Sequence, residues 1–458
     1  MTQTRQLFGT DGIRGLAGEF PLTMENVFII GLALGHDLKK TNPRARAVIG
    51  QDTRESSRWI ADRLTQGLST QGIAVESAGV ITTPGVAYLA HSRGFDAGIV
   101  VSASHNPWTD NGIKVFSSDG YKLPDSHELA IEKEIFALIQ NPPAAAEDSE
   151  LTGSPSLPGN AALRRAYIEW LAQTVKTDLS KLRVLVDCAH GAATAEAPEL
   201  FRSCRIKATF VHSSPDGRNI NEGCGALHPE TVGKLIAERK GEFDLGVTFD
   251  GDADRALFSD ANGKIVNGDA VLLLAARDMN AHGALTNSTV VATTMSNMGL
   301  EIALKRSGLR MLRANVGDKY VLEEMQKSGA TLGGEQSGHI IFRDGEATTG
   351  DGLLTALHVL EVMARNGRPL HELVADLKVF PQVIQNVRVR EKVPFAKVPE
   401  IQQAIDAAER ELDGNGRVVV RYSGTEPLAR VMVEAETEDQ MKRIATTIAD
   451  SIRTALGT

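Results

Sequence analysis

Residues 97–116 read AGIVVSASHNPWTDNGIKVF. The opening run, Ala97 to Ser102, is short and almost wholly apolar, as expected of a strand buried on both faces of a parallel sheet. Ser104-His105-Asn106-Pro107 follows at once, and the region beyond a strand end is where open α/β sheets collect ligands. Ser104 does not sit in a G-x-S-x-G nucleophile elbow, since Ser102 and Asn106 occupy the two glycine positions. Its hydroxyl can still carry a phosphoryl group, with His105 and nearby backbone N–H groups as donors. Lys114, ten residues on, supplies a cation or a proton-transfer group. The same residues also fit a Ser/Asn/Pro turn that hydrogen-bonds its own backbone. On this stretch alone both readings stand.

Working outward, Ala47 to Gly50 reads as an earlier strand and Arg58 to Gly67 as a helix, the alternation of a parallel sheet covered by helices. A Pro/Gly/Ser-rich break at Asn141 to Asn160 reads as a linker or exposed loop. The pattern restarts with a strand at Arg183 to Asp187, a helix at Thr231 to Lys240 and a strand at Phe243 to Phe249. A third unit begins with an apolar helix-like stretch from Gly268 and a strand at Ser288 to Thr293. The chain changes character near Gly367 to Val383. Strands at Arg417 to Tyr422 and Arg430 to Glu434 and a terminal helix make up the last unit. No short-period repeat is visible, and the sequence does not establish similarity between the α/β units.

The composition narrows the function. The chain has 458 residues, 42% of them hydrophobic and 23% charged, with 49 Lys+Arg against 58 Asp+Glu for a formal charge of −9. That is an ordinary globular balance with room for about three domains. The acidic excess and only 5% aromatic residues argue against nucleic acid as partner. Cys188, Cys204 and Cys224 are odd in number and lack C-x-x-C spacing, which suits a reducing, cytoplasmic setting. Met1 to Leu7 does not resemble a signal peptide, and no apolar run approaches the ~18 residues of a membrane span. The expectation is a cytoplasmic protein with no membrane or nucleic-acid partner.

Asp250-Gly-Asp252-Ala-Asp254-Arg255 is the sharpest local signal. Alternate residues of an extended segment point the same way, so three carboxylates would converge beyond the strand. Three oxygen ligands suit a hard cation such as Mg²⁺. A calcium loop is excluded because its sixth position is Arg255 and its twelfth Ala261. The alternative is a solvated acidic turn. In Arg421-Tyr-Ser423-Gly424-Thr425-Glu426-Pro427, followed by Arg430, two hydroxyls, a glycine and two flanking arginines make a phosphate cradle. A plain strand-turn-strand would use the same glycine and proline. Gly334-Glu335-Gln336-Ser337-Gly338-His339 offers polar side chains for sugar hydroxyls, or is a polar surface loop. Phe8-Gly-Thr-Asp-Gly-Ile-Arg14-Gly brings Arg14 towards an anion, or is a flexible arm. There is no G-x-x-x-x-G-K-[ST] loop, and no G-x-G-x-x-G follows a strand.

Taken together, FGTDGIRG at 8–15, SASHNPWTDNGIKVF at 102–116, DGDADR at 250–255, GEQSGH at 334–339 and RYSGTEPLARVMVE at 421–434 resemble the α-D-phosphohexomutase superfamily, in its order and approximate spacing. Trp108, where Phe or Tyr is usual, and His190, where Asn is common, are minor departures. The resemblance implies an α/β protein of four domains around a central cleft: three related α/β units with mixed sheets and a smaller α+β C-terminal domain. The limits expected are 1–155, 156–255, 256–372 and 373–458. It implies that Ser104 is a phosphoserine and that Asp250, Asp252 and Asp254 bind one Mg²⁺ together with the Ser104 phosphate. Arg14, His105 and Lys114 would complete the catalytic set. Arg255, Glu335, Ser337 and His339 would meet the sugar, and Arg421, Ser423, Gly424, Thr425 and Arg430 the phosphate that is not reacting. Lys114 and His339 are alternatives for the proton-transfer group. The implied reaction interconverts glucosamine 6-phosphate and glucosamine 1-phosphate, feeding UDP-N-acetylglucosamine and cell-wall synthesis. Glucosamine 1,6-bisphosphate or another hexose bisphosphate is the activating phosphoryl donor, and a homodimer is implied as well. Rival readings are a glucose or mannose phosphate mutase on the same scaffold, and a phosphosugar-binding regulator without turnover. The latter would need neither Ser104 nor three aspartates.

Overall fold

In a computed structural model that describes residues 6–9, 11–143, 157–343, 345–423 and 427–457, the chain builds four sheets, three of them on one plan. In the first, Arg46–Gln51 lies between parallel Ala74–Val80 and Ala97–Val101, and Asp110–Ser117 returns antiparallel to Ala97–Val101. In the second, Arg183–Asp187 lies between parallel Lys207–Val211 and Leu245–Phe249, and Ala256–Asp260 returns antiparallel to the latter. The third has the same order, with Arg310–Ala314, Thr289–Thr293, Leu332–Gly334 and antiparallel Ile340–Phe342. The similarity that the sequence did not reveal is therefore one of topology. Buried strands ask only for apolar side chains, so equivalent strands need share no residue pattern.

In every one of these sheets the connection of the closing hairpin is a loop singled out above: 102–109, 250–255 and 335–339. The repeated plan thus sets three chemically different loops at equivalent strand ends. Gly12–Leu16 extends the first sheet beside Asp110–Ser117, placing Arg14 across from Gly112. Ile265–Val266 extends the second beside Ala256–Asp260, so a limit at residue 255 would cut through that sheet. The cause is that the three-aspartate loop is a hairpin connection inside a unit and does not end one. Residues 144–156 of the expected linker lie outside the described residues, while Asn160 caps the helix Ala161–Thr174 by accepting from Ala162 N.

Ala97–Val101 is buried at every position, as its apolar run requires. The helices Met24–Thr41 and Glu55–Thr70 bring Val27, Phe28, Ile60 and Leu64 against Ile49, Ile99 and Ile113 in one core. Each such side chain contributes about 1.5–3 kcal/mol on burial.

The chain divides into two compact units. One comprises Met1–Met295 and Met311–Val374, and the other Ser296–Arg310 and Ala375–Thr458. In the latter, Leu428–Ala435 lies between antiparallel Gln382–Arg388 and Gly416–Tyr422. The helix Glu438–Leu456 repeats apolar residues at helical spacing, Met441, Ile444, Ile448 and Ile452, and buries them in a core with Val431 and Val433. Ser296–Arg310, expected in the third domain, belongs to this unit. Asn297 exchanges hydrogen bonds with the Phe380 backbone, donating from Nδ2 at 3.0 Å and accepting at Oδ1 at 2.9 Å.

Candidate active site

Within the larger unit, the three hairpin loops and the Arg14 strand meet. Ser104 is buried with a left-handed backbone, φ 52°, and its hydroxyl donates to Asp250 Oδ2 at 2.5 Å. A non-glycine residue holds such a φ only where its surroundings over-determine it, and such positions cluster at functional sites. The Ser104 Oγ also lies 3.3 Å from His105 Nδ1. Burial, then the Arg255 and Arg14 charges, push His105 down to about 4, so it is a neutral imidazole and not a cation at neutral pH.

The three aspartates do converge, with carboxylate oxygens within 4.8 Å of one another. They reach that arrangement by a turn and not by strand alternation: strand pairing ends at Phe249, and Ala253 adopts φ 54°. The turn lets Arg255 N donate back to Asp250 Oδ1 at 3.1 Å. Asp252 Oδ2 accepts from Thr83 Oγ1 at 2.6 Å and from Lys114 Nζ at 2.8 Å. Asp252 Oδ1 is buried and has no hydrogen-bond partner among the described residues. An orphaned carboxylate oxygen beside two further carboxylates is costly unless a cation is shared, so the donor set fits a hard metal ion. Burial, and then Asp254 and Asp252, push the Asp250 carboxyl well above the usual range.

Lys114 is 1% exposed and wrapped by Asp252, Asp11 at 2.9 Å and Asp254 at 3.5 Å. Burial opposes its charge, but those carboxylates prevail and hold it well above its ordinary value. Lys114 is thus a fixed ammonium. His339 differs. Its Nδ1 is 3.6 Å from Asp254 and its Nε2 3.8 Å from Asp318, and these carboxylates overcome burial to raise it to about 9.

His339 also lines a cavity of about 400 Å³ with Arg14, Arg255, His105, Asp254 and Glu335. Arg14 donates to Asn106 Oδ1 at 3.2 Å and pairs with Asp11. Glu335 Oε1 accepts from Gly317 N at 3.0 Å, and Ser337 Oγ donates to Glu335 Oε2 at 3.4 Å. The 335–339 loop turns tightly at Gly338, φ 93°, where a Cβ would meet Ala256 O at 2.5 Å. Two residues of the cavity wall were missed in the sequence, Asp11 and Asp318, as was Lys122 beside the cavity, which bridges them at 2.6 and 2.5 Å. Asp11 lay inside a quoted motif, whereas Lys122 and Asp318 had no local signal, because only tertiary packing brings them together.

In the smaller unit, antiparallel register sets Arg421 directly opposite Arg430. Like charges facing each other across a ladder are destabilising, which is tolerable where an anion is to be bound. Ser423 is buried and its carbonyl accepts from Lys392 Nζ at 2.7 Å. Gly424 and Thr425 lie outside the described residues.

Buried carboxylates, a strained serine and a cavity wall that carries Arg14 and Arg255, on three topologically equivalent α/β layers, define a phosphoryl-handling enzyme scaffold, and the chain belongs to the phosphoglucomutase/phosphomannomutase family. It matches that family's alpha/beta/alpha domain I over residues 5–141, domain II over 165–263, domain III over 267–380 and the C-terminal domain over 385–451. The chain is 63% identical over 454 residues to a phosphoglucosamine mutase of Koribacter versatilis, covering 99% of this chain and 98% of that one. It is 50% identical over 453 residues to a phosphoglucosamine mutase of Solibacter usitatus, covering 99% of each. The fold is shared with a phosphoglucomutase/phosphomannomutase family protein of Burkholderia thailandensis, with TM-score 0.79 at 24% identity over 99% of both chains.

Proposed function

We propose that the protein is an isomerase, a phosphoglucosamine mutase that interconverts glucosamine 6-phosphate and glucosamine 1-phosphate through a phosphoserine at Ser104. The observation that carries this reading is the Ser104 hydroxyl, held in a strained backbone against Asp250 of the three-carboxylate set. The full-length similarity to two phosphoglucosamine mutases supports the amino sugar as substrate. The phosphoryl group passes from Ser104 Oγ to the free O1 hydroxyl of glucosamine 6-phosphate, giving a 1,6-bisphosphate. The bisphosphate turns over, and its O6 phosphoryl returns to Ser104. One Mg²⁺ per chain, held by Asp250, Asp252 and Asp254 with the Ser104 phosphate, would supply charge neutralisation at the transferring group. Arg14 and Lys114 add fixed positive charge. In the first transfer the proton of the attacking sugar hydroxyl ends on the departing Ser104 Oγ. In the second, His339, on the cavity wall where Lys114 is not and protonated at neutral pH, gives its proton to the leaving sugar oxygen and is refilled from the attacking Ser104 hydroxyl. Glu335, Ser337 and Arg255 are the proposed sugar contacts. A hexose bisphosphate supplies the first phosphoryl group.

We further propose domain limits of 1–155, 156–266, 267–372 and 373–458, the second extended to complete its sheet and the fourth joined by Ser296–Arg310 from within the third. A cytoplasmic homodimer is our reading from the family resemblance and the free cysteines. Among the described residues no helix is long and apolar enough to cross a membrane.

The reading is tested by comparing turnover of glucosamine, glucose and mannose 6-phosphates with trace bisphosphate. Glucosamine 6-phosphate should have the highest kcat/KM, and a preference for glucose or mannose phosphate would reassign the substrate. In the C-terminal loop, charge-assisted hydrogen bonds to phosphate are each worth roughly 1.5–3 kcal/mol. Arg421→Ala should therefore lower kcat/KM by about 10- to 100-fold while Ser104 still accepts phosphate, and more free bisphosphate should escape per turnover. Unchanged kinetics and leakage would leave this loop as a turn only.

A further inference from the structure

Two buried side chains outside the cavity wall hold the same pair of main-chain carbonyls. Arg54 Nη2 donates to Ser104 O at 3.1 Å and to Asn106 O at 2.6 Å. Asn221 Nδ2 donates to the same oxygens at 3.0 and 3.3 Å. Arg54 is itself fixed by Asp52, which pairs with the guanidinium and accepts from Arg54 N at 3.0 Å, Ser57 Oγ at 2.6 Å and Ser102 Oγ at 2.6 Å. Ser102 Oγ accepts in turn from Ser104 N at 2.9 Å. Ser104 is therefore held at its N–H and its C=O by one continuous network, with Asp52, Arg54, Ser102 and Asn221 all buried.

Asn221 reaches the loop from the second α/β layer. It has φ 60°, a left-handed backbone that asparagine tolerates better than most residues, and its N–H donates to Ala189 O at 2.9 Å. Gly251, between the first two aspartates, runs so close that a Cβ would lie 2.5 Å from Ser104 O. The backbone of the serine loop is thus gripped between the Arg54 guanidinium and the layer that carries the aspartates.

We infer that Arg54 and Asn221 form a carbonyl clamp that imposes the left-handed conformation of Ser104 and so aims its Oγ at Asp250. Both are positioning residues, and the inference rests on Ser104 being the phosphoryl carrier. A loosened clamp leaves the phosphoserine misaligned with the sugar hydroxyl, and a misplacement of about 1 Å can cost on the order of 10²-fold. Water then competes for the phosphoryl group, so hydrolysis gains on transfer.

The test uses the full chain and four variants: Arg54→Met, Arg54→Lys, Asn221→Ala and Asn221→Gly. Asn221→Gly accommodates the left-handed backbone and removes the side chain that carries the amide, so it remains informative if burial makes Arg54→Met fold poorly. The measurements are Tm, kcat and KM, phosphate released per turnover, and the ³¹P resonance of the phosphoserine after loading with a hexose bisphosphate. The clamp predicts that Asn221→Gly keeps a wild-type melting curve, loses about 10²-fold in kcat with little change in KM, and releases more inorganic phosphate per turnover. Its ³¹P line should shift or broaden. Arg54→Lys should recover part of what Arg54→Met loses. Variants that keep the wild-type kcat, phosphate release and ³¹P line while the wild type loads Ser104 overturn the clamp alone. A wild type that never takes phosphate on Ser104 overturns the reading beneath it and the clamp's role together.

Discussion

Ser104→Ala lowers turnover of glucosamine 6-phosphate by on the order of 10⁴-fold or more, with the melting temperature little changed. The size of the effect follows from the covalent route. Without Oγ no phosphoenzyme forms, no bisphosphate is made, and the direct transfer between distant sugar oxygens has no nucleophile within reach. The alanine leaves the backbone network intact, because Ser102 Oγ, Arg54 and Asn221 hold the N–H and C=O of residue 104 and not its side chain. Loss of activity with retained folding therefore reports on chemistry. Intact-mass analysis after incubation with a hexose bisphosphate should find one added phosphoryl group in the wild type and none in the variant. Near-normal kinetics in Ser104→Ala would move the phosphoryl carrier elsewhere.

Asp252→Asn should cost on the order of 10²-fold or more in kcat, the several kcal/mol that a bound metal contributes to a charged transition state. Asn keeps the shape and can still accept from Thr83, but it removes one anionic ligand and one of the carboxylates around Lys114. Two changes are thus folded into one substitution. They separate on titration: added Mg²⁺ restores activity in part if ligand loss dominates, and does nothing if the stranded Lys114 charge is the cause. Removing the metal from the wild type with a chelator should abolish turnover without unfolding the chain, and Mg²⁺ should restore it. Full activity in excess chelator would contradict the metal assignment.

The elements most legible in the sequence were those written by local chemistry. Ala97–Val101 and Arg183–Asp187 announced themselves by apolar runs, and their observed limits lie within one residue of the reading. Ser104, the three aspartates, Arg14, Glu335 and His339 were read in sequence and meet around one site. The mode of convergence of the aspartates was not legible, because a left-handed Ala253 carries no compositional mark. Nor was the common plan of the three sheets, which lies in strand order and not in residue type. Lys122, Asp318 and Asn221 escaped notice for a third reason. Each is an ordinary polar residue on its own segment, and it acquires a partner only when distant loops are packed together.

The central claim is that the phosphoryl group on Ser104 is the one that appears on the product. The direct measurement is a single-turnover experiment in which Ser104 carries a ³²P-labelled phosphoryl group and meets unlabelled glucosamine 6-phosphate. The account predicts that the label passes first to the 1,6-bisphosphate and then to glucosamine 1-phosphate, while Ser104 is refilled with unlabelled phosphate from O6. Label that stays on Ser104, or leaves only as inorganic phosphate, while glucosamine 1-phosphate accumulates would contradict it.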